Sequence, residues 1–174
     1  MTKAPLLQGL DSRQALWVYE GSVRRLLVQA KDLPHGAQAS ALLLGITAAW
    51  PAVTIPAGAV WTIPPPSLKR RLQHWYLPRF LATRLAKQQQ QPFHQLLKRS
   101  RHASNQGDLN GPERRANLTN VFIAKGLWQR GGVPRCVVLF DDVSTTGATM
   151  LEAARALRAM GVQEVHGLCV AVVP

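Results

Sequence analysis

Asp141 and Asp142 are the residues of this chain best placed to do chemistry. These adjacent carboxylates follow four apolar residues, Val137 to Phe140, and precede a short run of small and hydroxylated residues, Val143-Ser144-Thr145-Thr146-Gly147-Ala148-Thr149. Paired carboxylates suit the hydroxyls of a sugar or a divalent cation. Hydroxyl side chains at the start of a helix suit an anion, because the free amides there and the helix dipole both favour negative charge. Gly147 lets the backbone approach a phosphate with no Cβ in the way. A phosphorylated sugar would be held at both ends.

Two elements must position these groups. Val137 to Phe140 reads as a strand buried on both faces that ends at the acidic pair. Behind the loop, Met150, Ala153, Ala154, Leu157 and Met160 recur at helical spacing, and Thr149 with Glu152 stands in capping-box spacing. The phosphate-binding candidates are therefore Ser144, Thr145, Thr146, Gly147, Ala148 and Thr149.

The stretch from Val137 to Thr149 resembles the phosphoribosyl pyrophosphate (PRPP) binding motif of type I phosphoribosyltransferases, four apolar residues followed by D-D-x-x-[ST]-T-G-x-T. Acidic pair, Thr-Thr-Gly and final Thr coincide in phase, which makes the match specific. The resemblance implies an α/β fold with a mostly parallel central sheet flanked by helices. It also makes Asp141 and Asp142 the catalytic candidates, holding ribose hydroxyls directly or through Mg²⁺, with the metal contact direct or indirect.

The chain has 174 residues, 47% of them hydrophobic, enough for one domain with a real core. Its formal charge of +12 points to anionic partners. That charge is local: residues 69–101 carry nine Lys/Arg and no Asp/Glu. The two cysteines, Cys136 and Cys169, adjoin apolar runs and read as buried free thiols, with no disulfide framework and no zinc spacing. No zinc is expected. Residues 33–68 carry no charge, but Pro51 and Pro56 interrupt that run before it reaches the roughly 20 residues a spanning helix needs. MTKAPLLQGL lacks the continuous apolar core of a signal peptide. These features predict a cytoplasmic protein without a transmembrane segment.

In chain order, Trp17 to Tyr19 reads as a strand, Gly21 to Lys31 as a helix with Val23, Leu26, Leu27 and Ala30 inward, and His35 to Trp50 as a second helix ended by Pro51. Pro51 to Gly58 is a loop and Ala59 to Ile63 a buried strand. The rigid turn Pro64 to Ser67 and the Asp141–Thr149 loop are expected to face one crevice at the carboxyl ends of parallel strands. Lys69, Arg70 and Arg71 then either hold a diphosphate or form a solvated helix start. Leu72 to Gln90 suggests a helix kinked at Pro78, or two shorter ones. Phe93 to Leu97 reads as a strand, and 102–112 has the composition of a mobile active-site loop carried behind Lys98, Arg99 and Arg101. A short helix over 113–121, a strand edge at Phe122 to Ala124, a turn at 131–134 and a last strand from Val165 to Val173 complete the chain. One domain over 1–174 results, with an extension at 1–58 and a core at 59–174.

Further segments are similar to the ComF (competence protein F, GntX-like) family. Tyr19 to Lys31 matches its Y-x-G-x-[LIV]-[RK] opening with a downstream Lys. Arg99, Arg101, Asn105-Gln106, Leu109, Arg114, Asn117 and Phe122 match its R-x-R…Q-x-x-L…R-x-x-N…F signature. Two departures stand out: the family's four-cysteine zinc ribbon is absent, and its R-G-F-N-Q segment is replaced around Arg71-Leu72-Gln73-His74-Trp75. The resemblance implies a part in DNA uptake during natural transformation, with single-stranded DNA and other competence proteins as partners. The basic window suits DNA independently, since phosphate contacts give salt-dependent, sequence-neutral binding.

Three readings stay open. The chain is a PRPP-binding ComF-like protein with Lys69, Arg70, Arg71, Lys98, Arg99 and Arg101 on diphosphate or DNA. Alternatively it is an active nucleobase phosphoribosyltransferase, in which Mg²⁺ and basic residues stabilise the leaving diphosphate, or a nonenzymatic PRPP sensor. Trp75, Tyr76, Phe80 and Phe93 either stack on bases or belong to the core, and their helical spacing favours the core. His35, His74, His94, His102 and His166 show no metal-ligand spacing.

Overall fold

A computed structural model of the chain describes residues 6–7, 9–32, 36–50, 53–67, 75–100, 121–125 and 132–174. Four parallel strands form the central sheet: β1 (Ser12–Val18), β2 (Val60–Thr62), β5 (Cys136–Ser144) and β6 (Glu164–Val172), in the order β1-β6-β5-β2. β5 and β6 are the interior strands, and their near-continuous apolar runs follow from burial on both faces. Beyond β2, Phe93 extends the sheet by a parallel bridge to Trp61. A separate antiparallel hairpin is made by β3 (Leu97–Arg99) and β4 (Phe122–Ala124).

Helices cover both faces. α1 (Gly21–Asp32), α2 (Ala37–Ala49) and α3 (Leu77–Gln88) pack on one, where Leu27, Leu42, Ile46, Leu81 and Leu85 meet Trp61, Val138 and Phe140. α4 (Ala148–Ala159) and the β3–β4 hairpin cover the other, where Met150, Ala153, Ala154 and Leu157 meet Leu97, Phe122, Val137 and Leu139. The expected α/β architecture with a parallel sheet is what the chain adopts.

The structure corrects several local expectations. β5 does not stop before the acidic pair: its ladder to β6 continues to Ser144↔Val172, so Asp141 and Asp142 lie inside the strand. Pro78 does not kink a helix. It stands in the first turn of α3, where a missing N–H costs nothing. The hairpin strand begins at Leu97, leaving Phe93 as a single bridge. Nor do Thr149 and Glu152 form a capping box. Gly147, at φ +78°, caps α4, and the buried Glu152 accepts instead from Arg155 of its own helix, through Nε (2.8 Å) and Nη2 (2.9 Å), and from the Phe122 amide of the hairpin (3.5 Å). Lys69, Arg70, Arg71, Arg101, the loop at 102–112 and the helix at 113–121 (but for Val121) lie outside the described residues.

Candidate functional site

The site is built on the carboxyl ends of β5 and β2. Thr62 pairs with Leu139 in a parallel ladder, so the proline turn behind β2 and the acidic pair in the last part of β5 lie toward the same, carboxyl end of the sheet. Asp141 and Asp142 are buried, 9% and 5% exposed. Each carboxylate accepts the amide of the next residue: Asp142 N donates to Asp141 Oδ1 (2.9 Å) and Val143 N to Asp142 Oδ1 (2.7 Å). These short-range bonds fix both side chains. Asp142 Oδ2 faces Lys31 Nζ at 3.1 Å, an ion pair drawn from the last turn of α1. Lys31 is a site residue that the charge pattern does not reveal. Its one signal in the sequence is the downstream Lys of the ComF-like opening.

The phosphate-binding candidates fall into two environments. Thr145, Thr146 and Thr149 are exposed around the start of α4, where the first amides of a helix have no intrahelical partner. Thr146 Oγ1 accepts from Ala148 N (3.4 Å), and Leu151 N donates to Gly147 O as the helix begins. Ser144 differs. It is buried, and its Oγ accepts from Arg13 Nη2 at 2.8 Å. Arg13, at the start of β1, is a second residue near the loop that sequence spacing does not announce. Gly147 is also approached by Leu7: a Cβ on Gly147 would lie 2.3 Å from Leu7 Cδ1.

Beside this edge lies a cavity of about 420 Å³. Pro65 and Pro66 form one wall and Trp75 and Tyr76 another, while Arg79, Lys98, Arg99 and Lys125 bring four cations. No carboxylate lines it among the described residues. Lys98 and Arg99 are candidates from the sequence; Arg79 from α3 and Lys125, just after β4, line the same cavity. Burial pulls the Arg99 guanidinium below its ordinary value, against a smaller opposing effect of Tyr76. Its guanidinium carbon lies 5.5 Å from the Phe122 ring centre. Of the aromatics, Trp75 is 9% exposed, and its Nε1 donates to Ala30 O (3.0 Å). Phe80 and Phe93 pack against the same core. Tyr76, whose hydroxyl donates to Pro64 O (3.4 Å), is half-buried at the cavity wall.

Fold and site together define an α/β protein with an acidic pair and a hydroxyl-rich helix start on the carboxyl edge of a parallel sheet, next to a cationic cavity. A 71-residue segment is 38% identical to competence protein F of Haemophilus influenzae, which bears out the ComF resemblance carried by the motifs. The match takes in 41% of this chain and spans 31% of that relative's length. No model of a known protein family matches. Among solved structures, glutamine PRPP amidotransferase from B. subtilis, complexed with ADP and GMP, is similar over 85% of this chain and 26% of that one, with a TM-score of 0.44 and 19% identity. At that level the likeness assigns nothing to this chain. Among the described residues, no helix is long and apolar enough to cross a membrane.

Proposed function

We propose that the chain binds PRPP, or a related ribose phosphate, at the carboxyl edge of its sheet and serves DNA uptake as ComF-like proteins do, meeting single-stranded DNA through its basic surface. The observation that carries this reading is the fixed pair Asp141 and Asp142 standing just before the exposed hydroxyls of Thr145, Thr146 and Thr149 at the start of α4. The carboxylates take the ribose hydroxyls. Thr145, Thr146, Thr149 and the amides around Gly147 and Ala148 take the 5′-phosphate, and Ser144 is held beneath them by Arg13.

Two carboxylates are a suitable donor set for Mg²⁺. Lys31 already balances Asp142 Oδ2, so a cation held through the sugar hydroxyls fits better than one bound directly to both carboxylates. Mg²⁺ there would neutralise diphosphate charge. Arg79, Lys98, Arg99 and Lys125 would extend that neutralisation into the cavity and onto a DNA backbone. Other competence proteins are the partners this role implies, and the cytoplasm its setting.

A second reading, an active nucleobase phosphoribosyltransferase, is favoured by the cavity itself, whose four cations suit a leaving diphosphate. Calorimetric titration with PRPP and Mg²⁺, on wild type and on Asp141→Asn/Asp142→Asn, tests the shared premise. Binding is expected in wild type and lost in the double variant; a folded wild type that takes up no PRPP would overturn the proposal. Turnover with a panel of nucleobases then separates enzyme from binding protein.

A further inference from the structure

At the opposite end of the sheet, Cys136, Glu164 and His166 stand together although nothing in their linear spacing joins them. Cys136 opens β5 and pairs in register with Glu164, which opens β6. His166 lies two residues further along β6, on the same side of the strand as Glu164. One ligand atom from each, a thiol sulfur, a carboxylate oxygen and an imidazole nitrogen, lies within 4.8 Å of the others.

The surroundings orient the imidazole. Ser12 Oγ and His166 Nδ1 are 2.9 Å apart, a hydrogen bond that fixes the ring. His166 Nε2 is buried and has no hydrogen-bond partner among the described residues. Glu164 Oε2 lies 3.8 Å from it, too far for a hydrogen bond. The other oxygen, Oε1, is taken by Arg135 Nη2 at 3.3 Å. A buried imidazole nitrogen left bare beside a carboxylate oxygen and a sulfur is costly in itself, and a cation resolves all three.

We propose that Cys136, Glu164 and His166 bind a divalent cation of the zinc class. Thiolate, imidazole and carboxylate together select a borderline-soft metal over Mg²⁺ or Ca²⁺, and three protein ligands leave one position for water. The Ser12 hydrogen bond is the outer-shell support that metal-bound histidines regularly carry. On binding, the Cys136 thiol loses its proton to solvent and sulfur takes the metal in its place. The site lies at the amino ends of β5 and β6, away from Asp141 and Asp142, so it pins the two interior strands and takes no part in ligand binding.

The test is a Co²⁺ titration of the tag-free, metal-stripped chain, followed by absorption. One equivalent should produce a thiolate-to-cobalt charge-transfer band in the near ultraviolet and the intense visible bands of a four-coordinate ion, and Zn²⁺ should displace both. Cys136→Ser should abolish the charge-transfer band, whereas Cys169→Ser should keep it. Should Cys136→Ser fail to fold, His166→Asn carries the comparison, since it must weaken binding at least tenfold, the usual scale for loss of a ligand or its support. No band in wild type, or a band that survives both Cys136→Ser and His166→Asn, would overturn the proposal.

Discussion

Lys31 Nζ lies 3.1 Å from Asp142 Oδ2, joining the last turn of α1 to the interior strand that carries the acidic pair. Both side chains are largely withdrawn from water, Lys31 to 21% exposure and Asp142 to 7%. Removing one partner leaves the other as an uncompensated charge. We expect Lys31→Met to cost about 2 kcal/mol, and Lys31→Met/Asp142→Asn to recover part of that loss. Urea unfolding of the two single variants and the double variant measures the coupling. Full additivity would mean that the pair contributes nothing.

Gly147 combines a left-handed backbone with a close neighbour. The two effects separate by mutation. Gly147→Ala should destabilise by roughly 1–2 kcal/mol from the φ of +78° alone. The 2.3 Å approach of Leu7 Cδ1 adds less, because the end of a leucine side chain can move aside. Adding Leu7→Ala should therefore restore only a minor part of the loss in thermal unfolding. Complete rescue would place the cost in the contact and not in the backbone.

Glu152 ties α4 to the hairpin through Arg155, whose pKa it raises by hydrogen bonding. Arg155 Nη2 in turn donates to Phe122 O (3.3 Å). Glu152→Ala should cost about 2 kcal/mol, since it removes a buried carboxylate that accepts charge-assisted bonds from Arg155 and leaves the Phe122 amide without its acceptor. It should also speed hydrogen exchange at 122–124 more than in β5. Uniform acceleration across both would mean that Glu152 serves global stability only.

In the metal-free chain the two thiols predict a loss of stability in alkali. Burial pushes Cys169 up to about 12, and burial with help from Glu164 pushes Cys136 up to about 11, both from an ordinary 9.0. A raised pKa means that the fold prefers the protonated thiol. The contribution is complete below pH 9 and is lost as pH climbs from 9 through 11 and 12. Wild type should lose stability over that interval faster than Cys169→Ala, which the difference between their urea midpoints at pH 8 and pH 10.5 reports. Parallel midpoints would refute it.

Salt reports on the cavity. For single-stranded nucleic acid, each phosphate contact contributes about 0.7 to the slope of log affinity against log salt. Lys98→Ala/Arg99→Ala should therefore lower the slope by about 1.4, as read by fluorescence anisotropy on an oligothymidylate. An unchanged slope would put the DNA path elsewhere.

What was legible in the sequence was whatever depends on near neighbours. The Val137–Thr149 phrase marks strand, acidic pair and helix start because a parallel strand and its following turn are written in consecutive residues. Apolar spacing likewise marks Leu27, Ala30, Ala39, Leu42 and Ile46 as inward-facing. What escaped was set by tertiary pairing. Nothing local tells that Lys31 meets Asp142, that Arg13 reaches Ser144 across 131 positions, or that Arg79 and Lys125 share a cavity with Lys98. The capping box failed because Thr149 and Glu152 had the right spacing while Arg155 of the same helix and the Phe122 amide of the hairpin offered Glu152 other partners. Cys136 and His166 likewise stand 30 positions apart and meet only through strand register.

The strand order also bears on how the chain is made. β6, the last strand described, sits between β1 and β5, so among the described residues β1 is joined to the sheet only through residues more than 140 positions later. As the chain leaves the ribosome, β1, α1 and α2 emerge without the partner that buries them. Such high contact order makes folding slow and leaves apolar surface uncovered throughout synthesis. Chains stalled before residue 164, with β6 still unmade, should be prime clients for chaperones.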